Sequence, residues 1–173
     1  MQGLTAAATF GLSDCERTVG DGLAQPVLAL TSLAYAAIGI AVGCGAIRGR
    51  GLLTGAAAAA LVAVGFGSFV YHGPQPPWAG PVHDWPIVAL AAVCAAGAVR
   101  GVRGQRRSVW MAAAGVLALG LAAYAAGRSG SPWCRPDSLW QYHGAWHVLS
   151  GTAAGLAAWA MLPERQYRAP QWR

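Results

Sequence analysis

The sequence predicts an all-α fold, a polytopic transmembrane helical bundle, on three observations. Apolar runs of roughly 20 residues, the length a helix needs to cross a bilayer, recur along the chain. Hydrophobic residues make up 55% of the chain and charged ones only 10%, with a mean hydropathy of +0.41. The basic residues are twelve arginines and no lysine, and they sit at the ends of the apolar runs. That placement argues against nucleic-acid binding, which a pI near 9.7 would otherwise suggest, and for membrane topology. At 173 residues there is room for one bundle and no second domain.

Five spans are expected, over about 26–47, 52–72, 84–99, 109–127 and 138–162. Pro26 suits the first turn of a helix, where its missing N–H costs nothing. Residues 73–81 hold four prolines and two glycines and read as a loop. Pro86 is expected in the first turn of the third helix, where it is tolerated. Asp137, after Pro136, reads as the N-cap of the fifth. Gly39-x-x-x-Gly43 and Gly51-x-x-x-Gly55 allow close helix contact.

Arginine placement orients this bundle. Arg48, Arg50, Arg100, Arg103, Arg106, Arg107, Arg165, Arg168 and Arg173 fall on one side, and Arg17, Arg128 and Arg135 on the other. By the positive-inside rule, residues 1–25 form an extracytoplasmic segment, 26–162 the bundle and 163–173 a cytoplasmic tail. The chain is expected in the cell (inner) membrane as a multi-pass protein. Its start lacks a basic n-region and a long apolar core, so no cleaved signal peptide is expected, and residues up to about 13 read as an interfacial cap. Cys15 and Cys134 both fall outside, where oxidising conditions permit a disulfide between them. Cys44 and Cys94 lie within spans and read as small packing residues.

The polar residues inside this apolar chain carry the functional signal. Ser68 and His72 lie one helical turn apart, as do His143 and His147, so each pair shares a face. With Asp84 they all fall at the outer end of the bundle in a topology set by arginines alone. One histidine near a helix end is most often an interfacial residue bonded to backbone or water. Three at one membrane depth, with a carboxylate nearby, read as a catalytic-type zinc site with an open position. His83 lies outside the helical pairing and is expected to face the loop. Trp78, Trp85, Trp133, Trp140 and Trp146 read as an aromatic belt.

The segment from Gly65 to His72, then Asp84, then His143-Gly144-Ala145-Trp146-His147 resembles the alkaline ceramidases. These belong to a superfamily of seven-helix membrane hydrolases that includes the adiponectin receptors. Asp14-Cys15-Glu16, Gln25-Pro26 and residues 31–34 resemble that family's start, so the likeness covers most of the chain in outline. It implies an intramembrane zinc amidase with Zn2+ on His72, His143 and His147. Asp84 would orient or deprotonate the bound water, and Ser68 would hydrogen-bond at the site. The substrate would be an N-acyl lipid entering from the bilayer. The family has seven spans, so five leave a chamber that is either more open or completed by a second copy. At the family's calcium site Asp14 and Glu16 match, but Gln25 replaces a Glu and the Asn is absent, which speaks against calcium. Two other classes stay open: a receptor-like protein with a structural zinc, and a haem-binding electron carrier, which would leave Ser68 and Asp84 unexplained.

Overall fold

Long runs of Ala, Leu and Val with few breakers leave the backbone no partner but itself, and five helices form among the described residues. A computed structural model describes residues 10–20, 22–49, 51–101 and 106–162. The helices are α1 (Pro26–Gly49), α2 (Leu52–His72), α3 (Ala79–Gly101), α4 (Arg107–Ala126) and α5 (Tyr142–Ala160). Among the described residues there is no strand, only one isolated bridge between Asp14 and Arg128. Helices α1 to α4 are long and apolar enough to cross a membrane, so the chain is a membrane protein. The expected tail over 163–173, with Arg165, Arg168 and Arg173, lies outside the described residues, as do Arg50 and Arg103.

Three expectations need correction. The fifth helix is shorter than 138–162 and is not among those apolar enough to span on their own. It carries His143, His147, Ser150 and Thr152, and it packs against all four other helices, so it need not face lipid itself. Asp137 does not cap it. Gln141 precedes the helix in extended conformation, and Asp137 pairs instead with Arg17 through two bonds of 2.6 and 2.8 Å. That pair holds each charge in its ionised form, lowering the Asp137 pKa and raising that of Arg17. Helix α3 begins at Ala79 rather than at Asp84, which puts Pro81 in its first turn and Pro86 in its interior.

The break that Pro86 makes inside α3 has a specific solution. Pro86 has no N–H to give the carbonyl four residues back, that of Val82. The Val82 oxygen packs directly on Gly67 of α2, where any Cβ would collide with it. Gly67 also sits next to Ser68, so this contact sets how closely α3 approaches the polar face of α2. Along the α1–α2 seam, a Cβ at Gly39 would lie 2.8 Å from the Ala58 carbonyl, and one at Gly65 2.7 Å from the Ala36 nitrogen. Gly55, by contrast, meets nothing within 4 Å.

Tyr35, Ala57, Leu61, Val64, Leu90 and Ala158 form the core where α1, α2, α3 and α5 meet. A second cluster of Trp110, Ala113, Ala157 and Ala160 joins α4 to α5. Helices α3 and α4 scarcely touch, although they are neighbours in sequence. The bundle is therefore open along one side.

Gly67→Ala should destabilise the protein by about 1–3 kcal/mol, because the neighbour it meets is backbone and cannot rotate away. Gly115→Ala, where nothing lies within 4 Å, should stay within about 1 kcal/mol of the parent. Thermal melts in one detergent compare the two, and equal melting temperatures would refute the Val82 contact.

Candidate metal centre

The centre starts from a side chain that the sequence marked only as a departure from the family's calcium site, not as part of the metal centre. Gln25, just before α1, is fully buried. Its amide nitrogen donates to the carbonyls of Gly11 and Glu16, both at 3.1 Å. Carbonyls only accept, so these bonds fix which end of the amide is which. The Gln25 oxygen therefore faces His72 Nδ1, 2.8 Å away, and can only accept. His72 must carry its proton on Nδ1, which leaves a lone pair on Nε2. That Nε2 is buried and has no hydrogen-bond partner among the described residues.

His147 is set by the same logic from α1. Its Nδ1 lies 3.1 Å from Thr31 Oγ1 and 3.4 Å from Ser32 Oγ. Both hydroxyls spend their hydrogens on backbone one turn back. Thr31 donates to Val27 at 2.8 Å, and Ser32 donates to Leu28 at 2.7 Å. Their oxygens accept from Nδ1–H, and Nε2 of His147 again keeps its lone pair.

His143 faces a third partner, Asp14. Its Nδ1 lies 3.0 Å from Asp14 Oδ1, at hydrogen-bond distance but out of line for a full bond. The same oxygen accepts from Arg128 at 2.8 Å, and Oδ2 lies 3.9 Å from His72 Nδ1. Burial opposes charge on Asp14. The His143 contact and the positive groups around it outweigh burial and hold its pKa below the usual carboxylate value.

The three rings pack edge to face or tilted, with centroids 4.9 to 5.4 Å apart. One nitrogen from each lies within 4.8 Å of the others, so His72, His143 and His147 could hold a metal ion. All three are buried. Each ring has its Nδ1 against a neighbour, the arrangement by which proteins orient imidazole ligands.

The triad stands at the head of a cavity of about 790 Å³. Ser68, 2% exposed, lines it one turn from His72. Its apolar wall runs along α3 and α4 through Ile87, Leu90, Ala114 and Leu117 to Trp110, in the gap where those helices fail to meet. Asp84 does not line this cavity. Its carboxylate is 75% exposed and accepts from His83 Nδ1 at 2.7 Å. His83, expected to face the loop, is instead the member of that pair that reaches the cavity. It stacks on Tyr71 at 4.3 Å and lies 6.2 Å from the His72 ring. Trp146, expected in the aromatic belt, also lines the cavity, while Trp78, Trp85, Trp133 and Trp140 are exposed.

The oxygens that resemble a calcium site are otherwise engaged. Glu16 accepts from the Val27 and Leu28 amides at 2.8 and 2.9 Å and so caps α1. Asp14 serves His143 and Arg128, and Gln25 serves His72. The Cys15–Cys134 disulfide is formed, with its Cα atoms 5.4 Å apart.

Comparison with protein-family models, with curated proteins and with solved structures finds no match to this chain.

Purified protein should carry about one divalent ion per chain, held by three imidazoles. Elemental analysis of the parent and of the His72→Ala, His143→Ala and His147→Ala triple variant checks this. Metal content that survives the triple substitution would rule the site out.

Proposed function

We propose that this chain is an intramembrane, zinc-dependent hydrolase that cleaves an amide bond in a lipid. One observation carries the reading. Three buried imidazoles, two with the metal-ready tautomer fixed by their neighbours, stand at the head of a largely apolar cavity in the gap between two membrane helices. A soluble substrate has no need of such a wall, whereas an acyl chain can lie along it and leave its polar linkage at the histidines. A zinc ion on this triad supplies positive charge that polarises a carbonyl and makes water more acidic.

The protein's own groups supply the rest. His83 reaches the cavity, and Asp84 holds its Nδ1. This is the pairing by which a carboxylate orients an imidazole for proton transfer. In this reading Asp84 acts through His83, which takes a proton from water and returns it to the leaving amine. Ser68 offers a hydroxyl to the substrate oxygen. The apolar faces of Ile87, Leu90 and Leu117 exclude bulk water from the chain-binding arm. The arginine count, and a disulfide at the same end as the histidines, support an extracytoplasmic N-terminus and site in the cell membrane.

The full burial of the ligands also suits a receptor-like protein with a structural zinc. Ring centroids within 5.4 Å leave no space for a macrocycle between histidines, which disfavours haem.

Release of a fluorescent acyl chain from a panel of N-acyl lipids in nanodiscs tests the proposal, with metal content measured alongside. His83→Gln should lose about 100- to 10,000-fold in turnover while keeping its metal. Asp84→Asn should lose less, and Ser68→Ala about 100- to 1,000-fold if its hydroxyl serves the developing oxyanion. Full metal with no turnover on any lipid would favour the structural-zinc reading. Parent-like turnover in His83→Gln would remove its proton role.

A further inference from the structure

Two of the three imidazoles owe their orientation to neutral groups at the start of α1. The third does not. His143 Nδ1 faces a carboxylate, Asp14, on the irregular segment before α1. Asp14 is 7% exposed although it lies outside any helix, so something must hold it down. The next residue is Cys15, bonded to Cys134 in the connection that leads into α5. Backbone bonds from Cys15 to Gly127 and from Ser129 to Ser13, both 2.9 Å, lay the segment along the end of α4. Arg128 then grips Asp14 Oδ1 at 2.8 Å while stacking on Tyr124 at 5.1 Å. Disulfide, bridge and guanidinium all act on the few residues around Asp14.

We propose that Asp14 is a positioning residue of the metal centre, which the Cys15–Cys134 disulfide delivers to His143. A carboxylate at Nδ1 can only accept. It selects the tautomer with Nδ1–H and presents Nε2 of His143 to the ion, completing the set that Gln25 and Thr31 with Ser32 begin. Among the described residues it is also the one carboxylate paired with the triad, so it makes His143 the most electron-rich of the three imidazoles. The disulfide is then part of the centre's construction as well as a staple. The inference rests on the metal reading above and adds to it a residue and a covalent link.

The test uses the full chain in detergent, stripped with chelator and titrated with Zn2+ and Co2+. Affinity is read by competition with a chromophoric chelator, and ligand environment by the visible Co2+ spectrum. Asp14→Asn should bind about 10- to 100-fold more weakly, the usual effect of losing an outer partner of a ligand, and should shift the Co2+ bands. Asp14→Glu, which keeps charge and acceptor, should recover part of the loss. The Cys15→Ser, Cys134→Ser pair should show a similar loss, and adding Asp14→Asn to it should cost nothing further, since both act through one contact. Phosphine reduction of folded parent protein replaces the cysteine pair if that variant does not fold. Unchanged affinity and spectrum in Asp14→Asn would overturn the proposal and leave the metal centre standing. Additive losses would break the link to the disulfide. A parent protein that takes up neither ion would overturn both.

Discussion

The side-chain amide of Gln25 is the interaction on which the polar end of this molecule depends. It is fully buried, and its three side-chain bonds tie the N-terminal segment and the start of α1 to the end of α2. Gly11 and Glu16 belong to the N-terminal segment, Gln25 opens α1, and His72 closes α2. Removing one partner from such a network strands the others, at about 1–3 kcal/mol for each buried group. The amide is also directional. Because two carbonyls claim its nitrogen, its oxygen is committed to His72, and the proton on His72 is committed in turn. Glu16 extends the same network by capping α1 with both carboxylate oxygens. Burial raises its pKa, against two amide bonds that favour the ionised form. Fold and metal-readiness thus share their hydrogen bonds.

Much of the architecture was legible because it is local. The bounds of α2 follow from an uninterrupted apolar run, and the pairing of Ser68 with His72, or His143 with His147, needs only helical periodicity. The disulfide followed from topology, because two cysteines on the oxidising side of a small bundle have few alternatives. The start of α3 was misplaced because Pro81 read as the end of a loop and Pro86 as a first-turn residue. Pro81 fits a first turn, and Pro86 is accommodated by Gly67 on another helix, a compensation no local pattern can reveal.

The parts of the candidate site that were missed are those set by tertiary contact. Asp14 and Gln25 lie in an irregular segment whose course depends on a disulfide 119 residues away in sequence. A signal did exist. Asp14 adjoins Cys15, and Cys134 precedes the helix with two of the histidines, so the expected disulfide already brought a carboxylate towards them. Thr31 and Ser32 read as ordinary helix hydroxyls because their hydrogens go to their own helix, and only the tertiary fold shows what their oxygens accept. The choice between His83 and Asp84 turned on about 100° of rotation around α3. A helix start placed five residues late could not resolve it.

The position of α5 connects these points to the membrane. An ionisable residue facing lipid is costly, so a helix with two histidines must be screened by protein. Here α5 takes the centre, and its neighbours α1 to α4 are the helices apolar enough to face lipid. The small residues Gly151, Ala153, Gly155, Ala157 and Ala158 along its buried side let those neighbours approach. The screen parts between α3 and α4, and there the cavity wall is largely apolar. On the proposed function, an acyl chain would meet a surface of its own kind along that gap, while the histidines stay at its far end beneath the disulfide-bonded segment. A bundle that closed this gap would protect the imidazoles fully and would also shut out any membrane-borne ligand. On the proposed function, the weak contact between α3 and α4 is the structural counterpart of the buried triad, the route by which a membrane-borne ligand would reach it.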